Sequence, residues 1–224
     1  MAARVRGEDN LPPNASGEEI AKAHGYRVAI DSTLPSPWGG HIDVDERVIW
    51  VKPAQTPAKL HFVILHELSH SYLSHLKRGR PLEACCQRGA AALMMPKDPF
   101  LEDCRETGRD IKEMSIRWPN SSREALVARI AELTENTVAA AWAGHSRKWL
   151  RSSPYLPLPL FYEEVAREAL GEVYSGGRDV VEVKHAGMRT VAWRLQALPN
   201  FAVTLTDYGR PSIKAPQKPR SQWL

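Results

Sequence analysis

The chain has little of several things that would settle its class at once. Cysteine is scarce: Cys85, Cys86 and Cys104 are the only three in 224 residues, an odd number with two of them adjacent, which excludes a disulfide framework and leaves free thiols. No apolar run approaches the roughly 18 residues a membrane span needs. The opening Met-Ala-Ala-Arg-Val-Arg-Gly-Glu-Asp has no hydrophobic secretory core, so a cytoplasmic protein is expected. Charge of one sign is lacking too: 30 Lys and Arg against 26 Asp and Glu leave a net +4, too mild to mark a nucleic-acid binder by itself. What is present, 43% hydrophobic and 25% charged residues, suits a globular protein with room for one large or two small cores.

Punctuation along the chain divides it into four parts. Residues 1–15 are polar and contain Pro, Asn and Gly, and read as a flexible leader. Ser16 and Glu19 stand at capping-box spacing and open a short helix. Two alternating stretches, Tyr26–Asp31 and His41–Val51, the latter turned at Asp45-Glu46, predict a small antiparallel sheet. Thr56-Pro57 is an N-cap followed by a first-turn proline, and Ala58–Leu76 after it contains no Gly or Pro to interrupt a helix. Leu60, Phe62, Val63, Ile64, Leu65, Leu68, Tyr72 and Leu73 leave this helix no wholly polar face, so it belongs inside the domain. Further helices are expected from near Pro81 to Met95, over Leu101–Arg117, and over Ser122–Leu133 with Ser121 and Glu124 as its capping box.

From about residue 134 the pattern changes. Ala139–Trp142 and Arg147–Arg151 read as paired strands, Ser153–Pro159 as an extended connector and Phe161–Tyr174 as an amphipathic helix. Asp179–Val183, Arg189–Leu195 and Phe201–Thr206 are strand candidates, with Trp142, Trp149 and Trp193 as core residues. The expectation is an α+β chain: a domain at 16–133 that combines the small sheet with the buried helix and ends in a trailing helix pair, a small α+β domain at 134–209, and a basic tail at 210–224.

The interior of the buried helix carries His66-Glu67-Leu68-Ser69-His70, an HExxH motif. Random placement of the chain's 8 His and 17 Glu would give it in about two such chains in a hundred. Residues four apart lie one turn up and about 40° round, so the two imidazoles can converge on one ion. Glu67 then projects beside them, placed to take a proton from water that the metal has acidified. Two histidines leave a catalytic site one protein ligand short. Glu83, thirteen residues after His70 and in the first turn of the next helix, is the candidate third ligand, because the short loop between makes the two helices antiparallel neighbours. The plainer account of Glu83 is an acid favoured at a helix N-terminus by the dipole.

These residues resemble the ImmA/IrrE-type metallopeptidases. Members of that family show HExxH in one helix, then a helix that begins Glu-x-x-Ala and ends Leu-Leu-Met-Pro; this chain has Glu83-Ala-Cys-Cys86 and then Ala90-Ala-Ala-Leu-Met-Met-Pro96. Gly108–Met114 and Ser122–Ile130 also look like the family's downstream helices, so the resemblance covers roughly residues 20–133. It implies a zincin-like fold, a zinc ion (with manganese as a substitute) bound by His66, His70 and Glu83, and Glu67 as general base. It further implies a zinc-dependent endopeptidase with a protein substrate, some members cleaving helix-turn-helix repressors and so switching on phage, mobile-element or stress genes. Ser69 in place of the usual Gly, Cys86 in place of Ala and Gly89 in place of Phe are departures. The last two alter packing, and an interior helical Gly costs up to about 1 kcal/mol.

Other residues near the motif have ordinary readings. His61 and His75 sit five positions from the nearest ligand, about 140° round the helix, and suit supporting or surface roles. Cys85 and Cys86 read as buried packing residues, with a metal-capturing thiol switch as the alternative. Asp110–Leu133 could be a DNA-binding helix-turn-helix with Arg123 and Arg129 toward phosphates, but Glu113, Glu124 and Glu132 share the interval and suit a solvated or protein-binding face better. A regulatory or toxin-antitoxin-like binding protein with a structural metal is the reading from a different class. No membrane association is expected.

Overall fold

Local capping chemistry starts most helices of the N-terminal half. In this computed structural model, residues 11–35, 39–53, 56–75, 79–135, 137–144, 146–152, 162–176, 178–185, 187–194 and 201–208 are described. The expected leader up to residue 10, the connector Ser153–Pro159 and the basic tail fall outside them. The backbone forms two compact units, Met1–Leu133 and Thr134–Leu224.

In the first unit, helix α1 (Gly17–Ala23) is opened by a complete capping box: the Ser16 side chain accepts from the Glu19 N–H and the Glu19 carboxylate accepts from the Ser16 N–H. Strands β1 (Arg27–Ile30), β2 (Gly40–Asp43) and β3 (Val48–Val51) form a sheet of order β1-β3-β2. It is mixed, not wholly antiparallel: β2 and β3 make the expected hairpin, whereas β1 runs parallel to β3 with Arg27 opposite Val48. The most apolar strand, Val48-Ile-Trp-Val51, takes the centre, where both its edges are paired. Asp43 closes the hairpin by accepting the N–H groups of Asp45 and Glu46.

Helix α2 (Pro57–Tyr72) carries the HExxH motif and is capped by Thr56, whose hydroxyl accepts the Lys59 N–H. Ile64, Leu65 and Leu68 have essentially no exposure. Helix α3 (Arg80–Met94) buries Leu82, Cys86, Ala90, Leu93 and Met94, a stripe at three- and four-residue spacing that defines its inner face.

The single helix expected over Leu101–Arg117 is instead two, α4 (Lys97–Glu106) and α5 (Ile111–Arg117). Gly108 and Arg109 adopt φ of +59° and +66°, a left-handed turn no helix can continue through. Asp110 then caps α5 by accepting from Lys112 and Glu113. Helix α6 (Arg123–Leu133) also starts differently from expectation: Ser122, not Ser121, accepts the Ala125 N–H. Arg129 is buried in this helix, donating to the Met95 carbonyl at 3.1 Å and to Glu132 at 2.9 Å. It thereby satisfies the carbonyl at the end of α3 and is not available to a phosphate.

The second unit is an antiparallel sheet of order β5-β4-β8-β7-β6, built from β4 (Thr137–Ala143), β5 (Ser146–Ser152), β6 (Val180–His185), β7 (Met188–Arg194) and β8 (Phe201–Tyr208). Helix α7 (Tyr162–Ser175) lies on it, its Val165, Ala166, Ala169, Leu170 and Val173 joining a core with Val138, Ala140, Trp142 and Ala192. Trp142 and Trp193 are buried as expected, and the Trp142 indole donates to the Thr204 hydroxyl at 3.0 Å. The mixture of helices and two sheets is the α+β architecture the sequence implied. Among the described residues no helix is long and apolar enough to cross a membrane.

Candidate metal centre

Helix α2 is held by strand β2 and helix α1 before any chemistry is considered. Strand β2 approaches so closely that a Cβ on Gly40 would lie 2.7 Å from Val63 Cγ1 and 3.0 Å from Glu67 Cγ, so only glycine fits without displacement. The buried His61 ring accepts the Gly17 N–H through Nδ1, tying α1 to α2. Ser69, also buried, donates back to the Leu65 carbonyl at 2.8 Å, which satisfies its hydroxyl without another partner.

On this frame His66, His70 and Glu83 come together. The two imidazole Nε2 atoms are 3.2 Å apart, and the Glu83 carboxylate reaches both, at 3.2 Å from His66 Nε2 and 3.6 Å from His70 Nε2. Three atoms around a tetrahedral ion with bonds of about 2.0–2.1 Å are separated by about 3.3 Å, so the donor set has the spacing of a divalent-metal site. His, His and carboxylate is also the donor chemistry of catalytic zinc sites. The described residues bring three such atoms together at this one place.

Electrostatics separate the roles. Burial pushes the His66 imidazolium below its ordinary pKa, helped by neighbouring His70 and opposed by Glu83, which favours the neutral imidazole a metal requires. Burial, reinforced by the negative charge of Glu83, raises the Glu67 carboxyl to about 7, placing it where a carboxylate can exchange protons near neutrality. Phe62 stacks on His66 with centroids 6.1 Å apart.

The remaining candidates fall outside the cluster. His61 holds α1 and His75 is exposed. Cys85 is partly buried, with a long contact of 3.6 Å from Arg88. Cys86 is buried with its Sγ 3.4 Å from His70 Nδ1; burial is also the main cause that raises its thiol to about 11. Sequence reasoning missed this contact and the Gly40 approach. The i+3 offset of Cys86 from Glu83 put both on one helical face without fixing where that face turns, and Gly40 lay just outside the predicted strand His41–Val51.

A mixed sheet backing a helix whose two histidines meet a carboxylate from the next helix defines a peptidase-type α+β domain. The chain belongs to the peptidase M78 family: the model of its IrrE N-terminal-like domain matches residues 21–141, which contain all four residues just described. No curated protein matches the sequence. Among solved structures, a Mycobacterium tuberculosis transcriptional regulator superposes with a TM-score of 0.68 at 17% identity, over 92% of this chain and 86% of that one. That likeness is one of fold. Family membership makes the chain a peptidase acting on a protein substrate, of a kind that uses a metal.

Proposed function

We propose that the chain is a zinc-dependent endopeptidase in which His66, His70 and Glu83 hold the ion and Glu67 is the general base. The observation that carries this reading is the convergence of the two imidazole Nε2 atoms, 3.2 Å apart, with the Glu83 carboxylate, whose oxygens lie 3.2 Å from one and 3.6 Å from the other, beside a partly buried carboxyl of raised pKa on the adjacent helical position. A zinc ion bound there would acidify a water molecule and polarise the scissile carbonyl. Glu67 takes the proton from the attacking water and hands it to the departing amine, which a carboxyl near pH 7 does in both directions. Three protein donors among the described residues also leave a position open, the pattern of a catalytic rather than a closed structural site.

The substrate proposed is a helix-turn-helix repressor, cleaved to release phage, mobile-element or stress genes. Its support is the resemblance of residues 20–133 to the ImmA/IrrE peptidases, and a structural neighbour titled as a transcriptional regulator is in keeping with it. The test is to incubate the protein with a co-encoded repressor, with and without chelator. Glu67→Gln should abolish cleavage and retain stoichiometric zinc, whereas His66→Ala should lose both. Equal loss of zinc in the two variants would contradict the division of roles.

A further inference from the structure

We infer that Cys86 is a positioning residue for His70, its sulfur accepting the Nδ1–H so that the ring is held with Nε2 turned toward the cation site; this rests on the reading of His66, His70 and Glu83 as metal ligands. The contact is 3.4 Å, within reach for a sulfur acceptor, and Cys86 itself has no exposed surface, so its sulfur is not hydrated by bulk solvent. Helical geometry makes the arrangement possible. Glu83 and Cys86 are three residues apart on α3, hence on one face, and they meet opposite ends of the same imidazole: the carboxylate at Nε2 and the thiol at Nδ1.

That placement distinguishes two roles for the cysteine. The two imidazole nitrogens flank one carbon but direct their in-plane bonds in widely diverging directions, so a sulfur bonded to Nδ1 stands away from an ion bound to Nε2. Cys86 therefore supports a ligand and is not itself one. The support is selective, because the buried Nδ1 of His66 has no hydrogen-bond partner among the described residues. Metal-binding histidines normally donate their second N–H to a carboxylate or carbonyl. A thiol is a weak acceptor, so it fixes tautomer and orientation while adding little to the basicity of the ring.

The test measures zinc affinity of the full chain by competition with a chromophoric chelator, alongside the melting temperature of each metal-free variant. Cys86→Ala, which removes the acceptor, should weaken zinc binding about tenfold, the lower end of the loss seen when such partners are removed. Cys86→Ser, which keeps an acceptor at nearly the same place, should stay within about threefold of the wild type by the same logic. In the zinc-loaded protein the ¹⁵N resonance of the His70 Nδ1–H should move in the alanine variant and return in the serine variant. Unchanged affinity and an unmoved His70 signal in Cys86→Ala, with only a lower melting temperature, would reduce Cys86 to packing and overturn the inference. A thiolate charge-transfer band in the cobalt-substituted protein that vanishes in Cys86→Ala would overturn it in favour of direct ligation. Wild-type protein that binds no zinc would instead overturn the metal-site reading itself, a separate signature.

Discussion

Glu67 carries the sharpest physical conflict in the molecule. Its carboxyl is raised from 4.5 to about 7 by burial and then by Glu83, so the metal-free folded state holds a proton that the unfolded chain releases at lower pH. Between those two values the folded state binds more protons, and stability falls as pH rises until the full cost is reached above about 7. Glu67→Gln removes the titration. Metal-free Glu67→Gln should therefore match the wild type near pH 4 and exceed it above pH 8 by on the order of 1–3 kcal/mol, read from denaturant melts at the two pH values. His66, whose pKa is lowered by burial, acts in the opposite sense: it costs stability as pH falls below its ordinary value. That effect is common to both proteins and cancels in their difference. A variant no more stable at pH 8 than the wild type would mean Glu67 is not the strained acid described.

This residue and its neighbours were legible in the sequence because helical periodicity fixes where i and i+4 point. Glu83 was legible because a short connection leaves two helices little choice but to lie side by side. The bond from His70 to Cys86 was not, since it depends on the rotation of α3 about its own axis.

At the scale of elements, α2 is placed by contacts that leave no slack. Gly40 on β2 is the tightest: an added methyl would meet Val63 Cγ1 at 2.7 Å and both Glu67 Cγ and the Trp50 carbonyl at 3.0 Å. Gly40→Ala should destabilise the protein by about 1–3 kcal/mol through overpacking. It should also reduce cleavage by the surviving folded protein while leaving zinc stoichiometry intact, because the displaced group is the proposed base and not a ligand. Full activity in a folded Gly40→Ala protein would show that the approach of β2 does not position Glu67. Strand identity was legible from alternation, but alternation says nothing about direction, and the parallel pairing of β1 with β3 depends on which strand takes the centre. The break after α4 had a visible signal in Gly108, yet the left-handed conformation of Arg109 beside it is unusual for a residue with a side chain and was not to be read from periodicity. Ser121 stood at capping-box spacing from Glu124 but is buried, with its N–H bonded to the Trp118 carbonyl, and the neighbouring Ser122 caps the helix.

Over the whole molecule, chemistry and family membership concentrate in the first unit, while the second is a five-stranded sheet carrying one helix. Its strands were legible because hydrophobic alternation and aromatic residues are local properties. Their order was not, because β4 pairs with β8 from Thr137 opposite Asp207 to Ala143 opposite Phe201, and no local pattern encodes so distant a partner. The buried Arg129 makes a related point: in the sequence it was a phosphate contact only in the less favoured helix-turn-helix reading, and the fold spends it on the Met95 carbonyl.

On the function proposed, two histidines and one glutamate from successive helices surround a single cation. Anomalous diffraction at the zinc absorption edge, from crystals of the zinc-loaded protein, measures this directly. One peak is expected, about 2.0–2.2 Å from His66 Nε2, His70 Nε2 and a Glu83 carboxylate oxygen. A peak bound elsewhere, or one at the histidines with the Glu83 carboxylate beyond bonding distance, would contradict it.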